Sequence, residues 1–145
     1  KKRKEDFLKN IHNILDKNGV LLITFPPFYS PFGLHQQVFC KSILKYIPFL
    51  SLFPKSLLKF IFYLFKEDKH TIDELFEIES CAMTINKFIK LIKKTKYNIQ
   101  YQKYYFIRPS HELRYGLKTI TSCFGKVPLF KEILVTGTVF ILNKY

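Results

Sequence analysis

Closely spaced glycines are missing from this chain. Gly19, Gly33, Gly116, Gly125 and Gly137 stand alone, so none can form the glycine-rich turn by which a strand-helix unit lets its backbone approach a ligand. Cysteine is scarce too. Cys40, Cys81 and Cys123 are odd in number and far apart, with no C-x-x-C pair or neighbouring histidine pair, which excludes a disulfide framework and leaves no zinc pattern. A reducing, cytoplasmic compartment suits them. The chain does not open with the basic, apolar and small-residue succession of a secretory leader. It has no internal repeat and no low-complexity linker. Long apolar runs are interrupted: Ile47 to Phe65 approaches membrane-spanning length but carries Pro48, Pro54, Lys55 and Lys59, and so reads as a buried or interfacial helical pair.

What is present is apolar and basic. An apolar content of 48% and an aromatic content of 17% over 145 residues suffice for one domain with a real core and are too little for two. The chain opens KKRKEDF without a methionine, and its first apolar stripe starts at Phe7 with no preceding strand, as expected of an excerpt from something larger. A net charge of +13 invites a nucleic-acid or anionic-membrane reading. The joint abundance of Lys, Ile, Phe, Tyr and Asn has a simpler source in an AT-rich coding sequence. No RNP-like or helix-turn-helix signature accompanies the charge, so nucleic acid is not the expected partner.

Phe7, Leu8, Ile11, Ile14 and Leu15 recur at helical spacing, and Asn18-Gly19 offers a left-handed stop, which predicts a helix ending near Lys17. Val20 to Phe25, VLLITF, is apolar on both faces, the pattern of a parallel strand buried between two layers. Pro26-Pro27 ends it. A loop from Pro27 to Gly33 leads to a helical pattern from His35 through Phe39, Ile43, Leu44 and Ile47, and a second apolar helix is expected from Lys55 to Phe65. Thr71-Ile-Asp-Glu74 reads as a capping box opening a third helix. Thr84 is the expected cap of a helix with Ile85, Phe88, Ile89 and Ile92 on one face and Lys90, Lys93, Lys94 and Lys96 outward. Strands are expected at Ile99–Ile107 and Ile133–Leu142, and the long connection of residues 108–131 should contain turns of its own.

This order carries a resemblance. NIHNILDKNGVLLITFPPFYSPFGLHQ resembles the stretch of class I S-adenosylmethionine-dependent methyltransferases in which a helix ends at a glycine turn, leads into the fifth strand and leaves through a proline toward the active site. TINKFIKLIKKTKYNIQ resembles the helix before the sixth strand. VTGTVFILNKY resembles the seventh, which in that family inserts antiparallel between strands five and six. The resemblance implies an α/β fold, a partial Rossmann-like sheet with a helical insert at about 38–81, within one domain spanning 1–145. It also implies S-adenosylmethionine as the cofactor of the complete domain, although the glycine-rich loop and the acidic residue that hold its methionine and ribose parts have no counterpart here. A fragment of this kind is expected to be inactive alone and to contribute the substrate-side wall and cap; the acceptor is unspecified, with an apolar or lipid-like molecule among the options.

Ligands of open α/β sheets bind outside the carboxyl ends of the strands, which puts the loop after Phe25 at the meeting point of substrate and methyl donor. Phe28, Tyr29, Phe32 and Gln36 are the candidate substrate-side residues. His35 is the candidate general base, wanted only when the acceptor must lose a proton; the competing reading makes it a helix cap or a partner of a loop carbonyl. Phe28, Tyr29 and Phe32 could equally pack the insert onto the sheet. No metal ligand is expected, and His12, His70 and His111 lack partners that suggest catalysis. Glu112 and Arg114 are expected to form an exposed ion pair. The insert itself reads either as a cap over a pocket or as a basic amphipathic module contacting a membrane surface or a protein, with Lys41, Lys45, Lys55 and Lys59 meeting anionic headgroups.

Overall fold

The structure, a computed structural model, describes the chain apart from residues 1, 129 and 145 and the side chains of residues 2, 114, 115 and 126. Helix α1 runs Lys2–Ile14 and leads to strand β1, Val20–Phe25, the hexapeptide expected from its apolar run. The helix stops three residues before Lys17, and the Asn18-Gly19 turn uses no left-handed residue: among described non-glycine residues only His35, Phe49 and Lys66 have positive φ, and among glycines only Gly116. Gly19 is needed for space instead, since a Cβ there would lie 2.9 Å from the Leu15 side chain.

The next elements are α2 (Gln36–Phe39), α3 (Lys55–Leu64), α4 (Lys69–Ser80) and α5 (Ile85–Ile92). The long helix expected from His35 to Ile47 is broken: Cys40 is extended, and the chain resumes as a 3-10 turn over Ile43–Tyr46, capped by the Ser42 hydroxyl. The start of α4 also differs from the capping-box expectation. Its cap is Asp68, whose carboxylate accepts from the Thr71 amide at 2.8 Å, so Thr71 lies inside the first turn. Thr84 caps α5 as expected, accepting from the Lys87 amide at 3.1 Å.

Strand β2 (Tyr97–Ile107) is followed by α6 (Pro109–Tyr115), a two-residue strand β3 (Ile120–Thr121), a 3-10 turn, α7 (Phe130–Ile133) and β4 (Gly137–Lys144). The connection after β2 thus holds its own structure, and the last strand begins four residues later than expected because residues 130–133 close a helical turn. The fold is mixed α/β. Its four-stranded sheet has the order β1-β4-β2-β3, every pair antiparallel. Since β4 runs against both neighbours, β1 and β2 point the same way with β4 between them. Gln100 has no partner across the ladder, Ile99 facing Leu142 and Tyr101 facing Ile141, so one bulge bends β2.

The expectation that β1 is a parallel, interior strand covered on both faces is corrected: among the described residues it pairs only with the antiparallel β4 and is an edge strand. Leu21, Ile23 and Phe25 pack on the sheet's core, while Val20 and Leu22 face out, Leu22 being 62% exposed. An apolar run reports that both faces are greasy, not what covers them. Leu22 continues across the open face into Ile141 and Tyr101. The other face is covered by α1 and α5, whose Leu8, Ile85, Phe88 and Ile92 pack with Phe140 and Leu142. The Phe88 and Phe140 rings lie 4.7 Å apart, and Phe25 approaches Phe88 at 5.1 Å.

A second core belongs to the insert. Leu44, Leu50, Leu58, Phe62, Ile72 and Leu75 pack together, and the cluster reaches back to Phe28 and Leu34, so the insert's packing begins well before residue 38. Glu67, buried beside Cys40 of this cluster, accepts from the Ser42 hydroxyl at 2.5 Å and from the amides of Ser42 and Lys41. Among the described residues no helix is long and apolar enough to cross a membrane.

Candidate functional site

The carboxyl ends of β1 and β2 and the start of β4 enclose a cleft of about 290 Å³, lined by Thr24, Phe25, Pro26, Tyr105, Arg108, Pro109, Ser110, Gly137, Thr138 and Val139. Two features shape it. The Thr138 hydroxyl donates to the Phe25 carbonyl at 2.8 Å, which fixes the end of β1 before the proline pair. Gly137 leaves room for the Arg108 stem, since a Cβ would lie 3.2 Å from it. Arg108 in turn donates from Nε to His111 Nε2 at 3.0 Å.

His35 is the sequence-predicted residue that feels the charge of this group. Its half-buried imidazole is held below its ordinary titration range, first by burial and then by the charge of Arg108. The side chain does not cap α2 and makes no hydrogen bond among the described residues. Its backbone is left-handed, φ 61°, a conformation that a non-glycine residue holds only when its surroundings over-determine it. They do so here. The Gln36 side chain donates to the carbonyls of Ile47 at 2.8 Å and Pro31 at 3.3 Å, and amide bonds from Ser30 to Pro27, Gly33 to Ser30 and His35 to Phe32 close the loop on itself. At Gly33 a Cβ would lie 2.1 Å from the Phe28 carbonyl oxygen, so any other residue there forces the loop backbone to shift.

The remaining candidates lie elsewhere. Gln36 is fully buried, and Phe28 is buried in the insert's core. Tyr29 packs its ring edge-on against Phe28 at 5.2 Å and reaches the surface, while Phe32 is half-buried. None of Phe28, Tyr29, Phe32, His35 and Gln36 lines the cleft at the strand ends; His35 is linked to it only by the charge of Arg108. Arg108, Tyr105 and Thr138 were not singled out from sequence. Arg108 directly follows β2, so the strand-end rule applied to Phe25 would have found it.

Of the other histidines, His12 packs against Tyr97 at 5.2 Å, and His70 lies 3.7 Å from Glu74. Glu112 accepts from the amide and hydroxyl of Thr119; the Arg114 side chain, its expected partner, lies outside the described residues. A larger cleft of about 500 Å³ between α1 and α5 has Met83 and Leu91 beside Lys4, Lys87, Lys90 and Lys94. It sits away from the strand ends, and strand ends are where α/β sheets gather reacting groups. Among the described residues no three His, Cys, Asp or Glu side chains are grouped to hold a metal.

Sequence reasoning also passed over Glu132. From the late connection its carboxylate accepts the amides of Ile85 at 2.9 Å and Asn86 at 2.7 Å, neutralising the opening turn of α5 beside the Thr84 cap. Comparison with protein-family models, with curated proteins and with solved structures finds no match to this chain.

Proposed function

We propose that the chain supplies the substrate-side wall and cap of a class I S-adenosylmethionine-dependent methyltransferase domain, acting on an acceptor whose chemistry is open. One observation carries the reading. β4 lies antiparallel between two strands that point the same way, which is the arrangement that the resemblance to strands five, seven and six requires. The open edge of β1 accords with a sheet that continues through a segment outside these residues. The three free thiols accord with a cytoplasmic setting.

The cofactor does not fit the residues present. The cleft at the strand ends has no glycine-rich turn and no carboxylate for a ribose, and Arg108 would repel a sulfonium. In this reading the chain's own contribution is positioning. His35, kept neutral by burial and Arg108, is able to accept a proton from an acceptor that must lose one. The loop around Gly33 holds it in place.

The test begins upstream. The coding frame should continue N-terminally into a strand, a G-x-G-x-G-like turn and an acidic residue about twenty positions on. The protein including that segment should bind S-adenosylmethionine by calorimetry, and His35→Ala should lower turnover far more than affinity. A longer protein without cofactor affinity would retire the methyltransferase reading; unchanged turnover in His35→Ala would retire His35 as the base.

A further inference from the structure

Helix α3 is apolar on two opposite faces. Leu58 and Phe62 turn into the insert's core, whereas Leu57, Phe60, Tyr63 and Leu64 stand in solvent, Phe60 and Leu64 each 63% exposed. A surface helix ordinarily turns charged groups outward. The turns before α3 add Tyr46 and Phe53 to the same exposed set. Exposed apolar side chains in such number on one helix and the turns before it mark something that they meet.

Charge says what that is. From Lys17 to Lys66 the sequence has no Asp or Glu, and Lys45, Lys59 and Lys66 have no ion pair among the described residues. Two of these lysines lie against exposed rings, Lys45 Nζ at 4.9 Å from the Tyr46 centroid and Lys59 Nζ at 6.0 Å from that of Tyr63. A second copy of this face would bring lysines against lysines with no carboxylate in the segment to pair them. A surface with an apolar interior and a dense negative rim meets both needs. Aromatic rings at headgroup depth, with lysines reaching the phosphates, form the usual belt of an interfacial helix.

We propose that the outer face of the insert docks on an anionic lipid bilayer, with α3 lying in the interface plane, Phe60 and Leu64 entering the acyl region and Lys45, Lys59 and Lys66 meeting the headgroups. α3 has ten residues, too short to span and long enough to lie flat. The docking stands independently of any methyl transfer, because it rests on the outer surface of the insert and not on the strand-end cleft.

The chain contains no tryptophan, so Phe60→Trp introduces a single reporter. On phosphatidylcholine vesicles containing phosphatidylserine its emission should shift to the blue and be quenched by brominated acyl chains, and Tyr101→Trp, on the open face of the sheet, should not change. Vesicle co-sedimentation should weaken with salt, and each of Lys45→Ala, Lys59→Ala and Lys66→Ala should lower partitioning about fivefold. The double variant Phe60→Ser with Leu64→Ser should lower it by at least about tenfold with the melting temperature held. Three results would overturn the proposal: no co-sedimentation at low salt, a shift at Tyr101→Trp in place of Phe60→Trp, or a lipid-independent, concentration-dependent shift at Phe60→Trp, which would make the face a protein contact. The lysine and tryptophan variants decide the matter even if the serine variant fails to fold.

Discussion

Arg108 and His35 come from distant parts of the chain, yet burial and then the guanidinium of Arg108 hold the His35 imidazole below its ordinary value of 6.5. The histidine is therefore neutral near pH 7. Proton NMR of the His35 ring should give a titration midpoint below 6.5, and Arg108→Met should raise it part of the way back, because burial is the larger cause and remains. An unchanged midpoint in that variant would disconnect the two residues. The sign for stability follows from linkage: the unfolded chain takes up this proton at a higher pH than the folded one, so stability is lost as pH falls from 6.5 through the folded midpoint.

Glu67 shows the opposite chemistry. Burial would raise its pKa, but the hydrogen bonds from the Ser42 hydroxyl and from the Ser42 and Lys41 amides outweigh that, and the carboxyl titrates below its ordinary 4.5. Its contribution is present above 4.5 and is lost as pH falls through the lower folded value. Glu67→Gln should flatten that part of the acid-unfolding curve measured by circular dichroism; a curve matching that of the unmodified chain would remove Glu67 from the account.

Glu132→Ala removes two charge-assisted bonds to the first turn of α5. Bonds of this kind at a helix N-terminus contribute about 1–3 kcal/mol, so urea unfolding should show a loss of about 2–3 kcal/mol, with Glu132→Gln intermediate. A loss below about 0.5 kcal/mol would mean that Thr84 suffices as the cap.

The thiols should separate by reactivity. Cys40 is buried and pushed up to about 12 by burial and then by Glu67, while Cys81 and Cys123 are exposed. A disulfide-exchange reagent at mildly alkaline pH should label two thiols promptly and the third only on unfolding. Prompt reaction of all three would show the insert's core to be open.

Gly33→Ala tests the loop that holds His35. With a Cβ 2.1 Å from the Phe28 carbonyl oxygen, the backbone must shift, and a loss on the order of 3 kcal/mol is expected in thermal unfolding. The His35 ring resonance should move with it. A stable variant with His35 unmoved would show that the loop has room to relax.

Patterns that depend on near neighbours were legible in the sequence. VLLITF between a glycine turn and two prolines became β1 to the residue, Thr84 capped its helix, and Lys55 marked the start of α3. What escaped depends on distant pairing. The apolar run of β1 is the same whether one flank or both are covered, Asp68 won the cap of α4 from Thr71 by lying just ahead of the first turn, and the helix expected from His35 to Ile47 gave way where Cys40 and Ser42 meet Glu67. Arg108 and Glu132 carry no local pattern, because the groups they serve are brought to them by the sheet and by α5. The left-handed backbone of His35 is equally silent in sequence, since no glycine marks it.

Residues on either side of the insert are stitched to each other, the Phe28 amide donating to the Met83 carbonyl at 3.0 Å. The chain leaves the sheet layer after β1 and returns to it before α5 at this shared point. An insert of different size joined at that point is expected to leave β1, β4 and β2 in register, which amide exchange across the strand ladder would check.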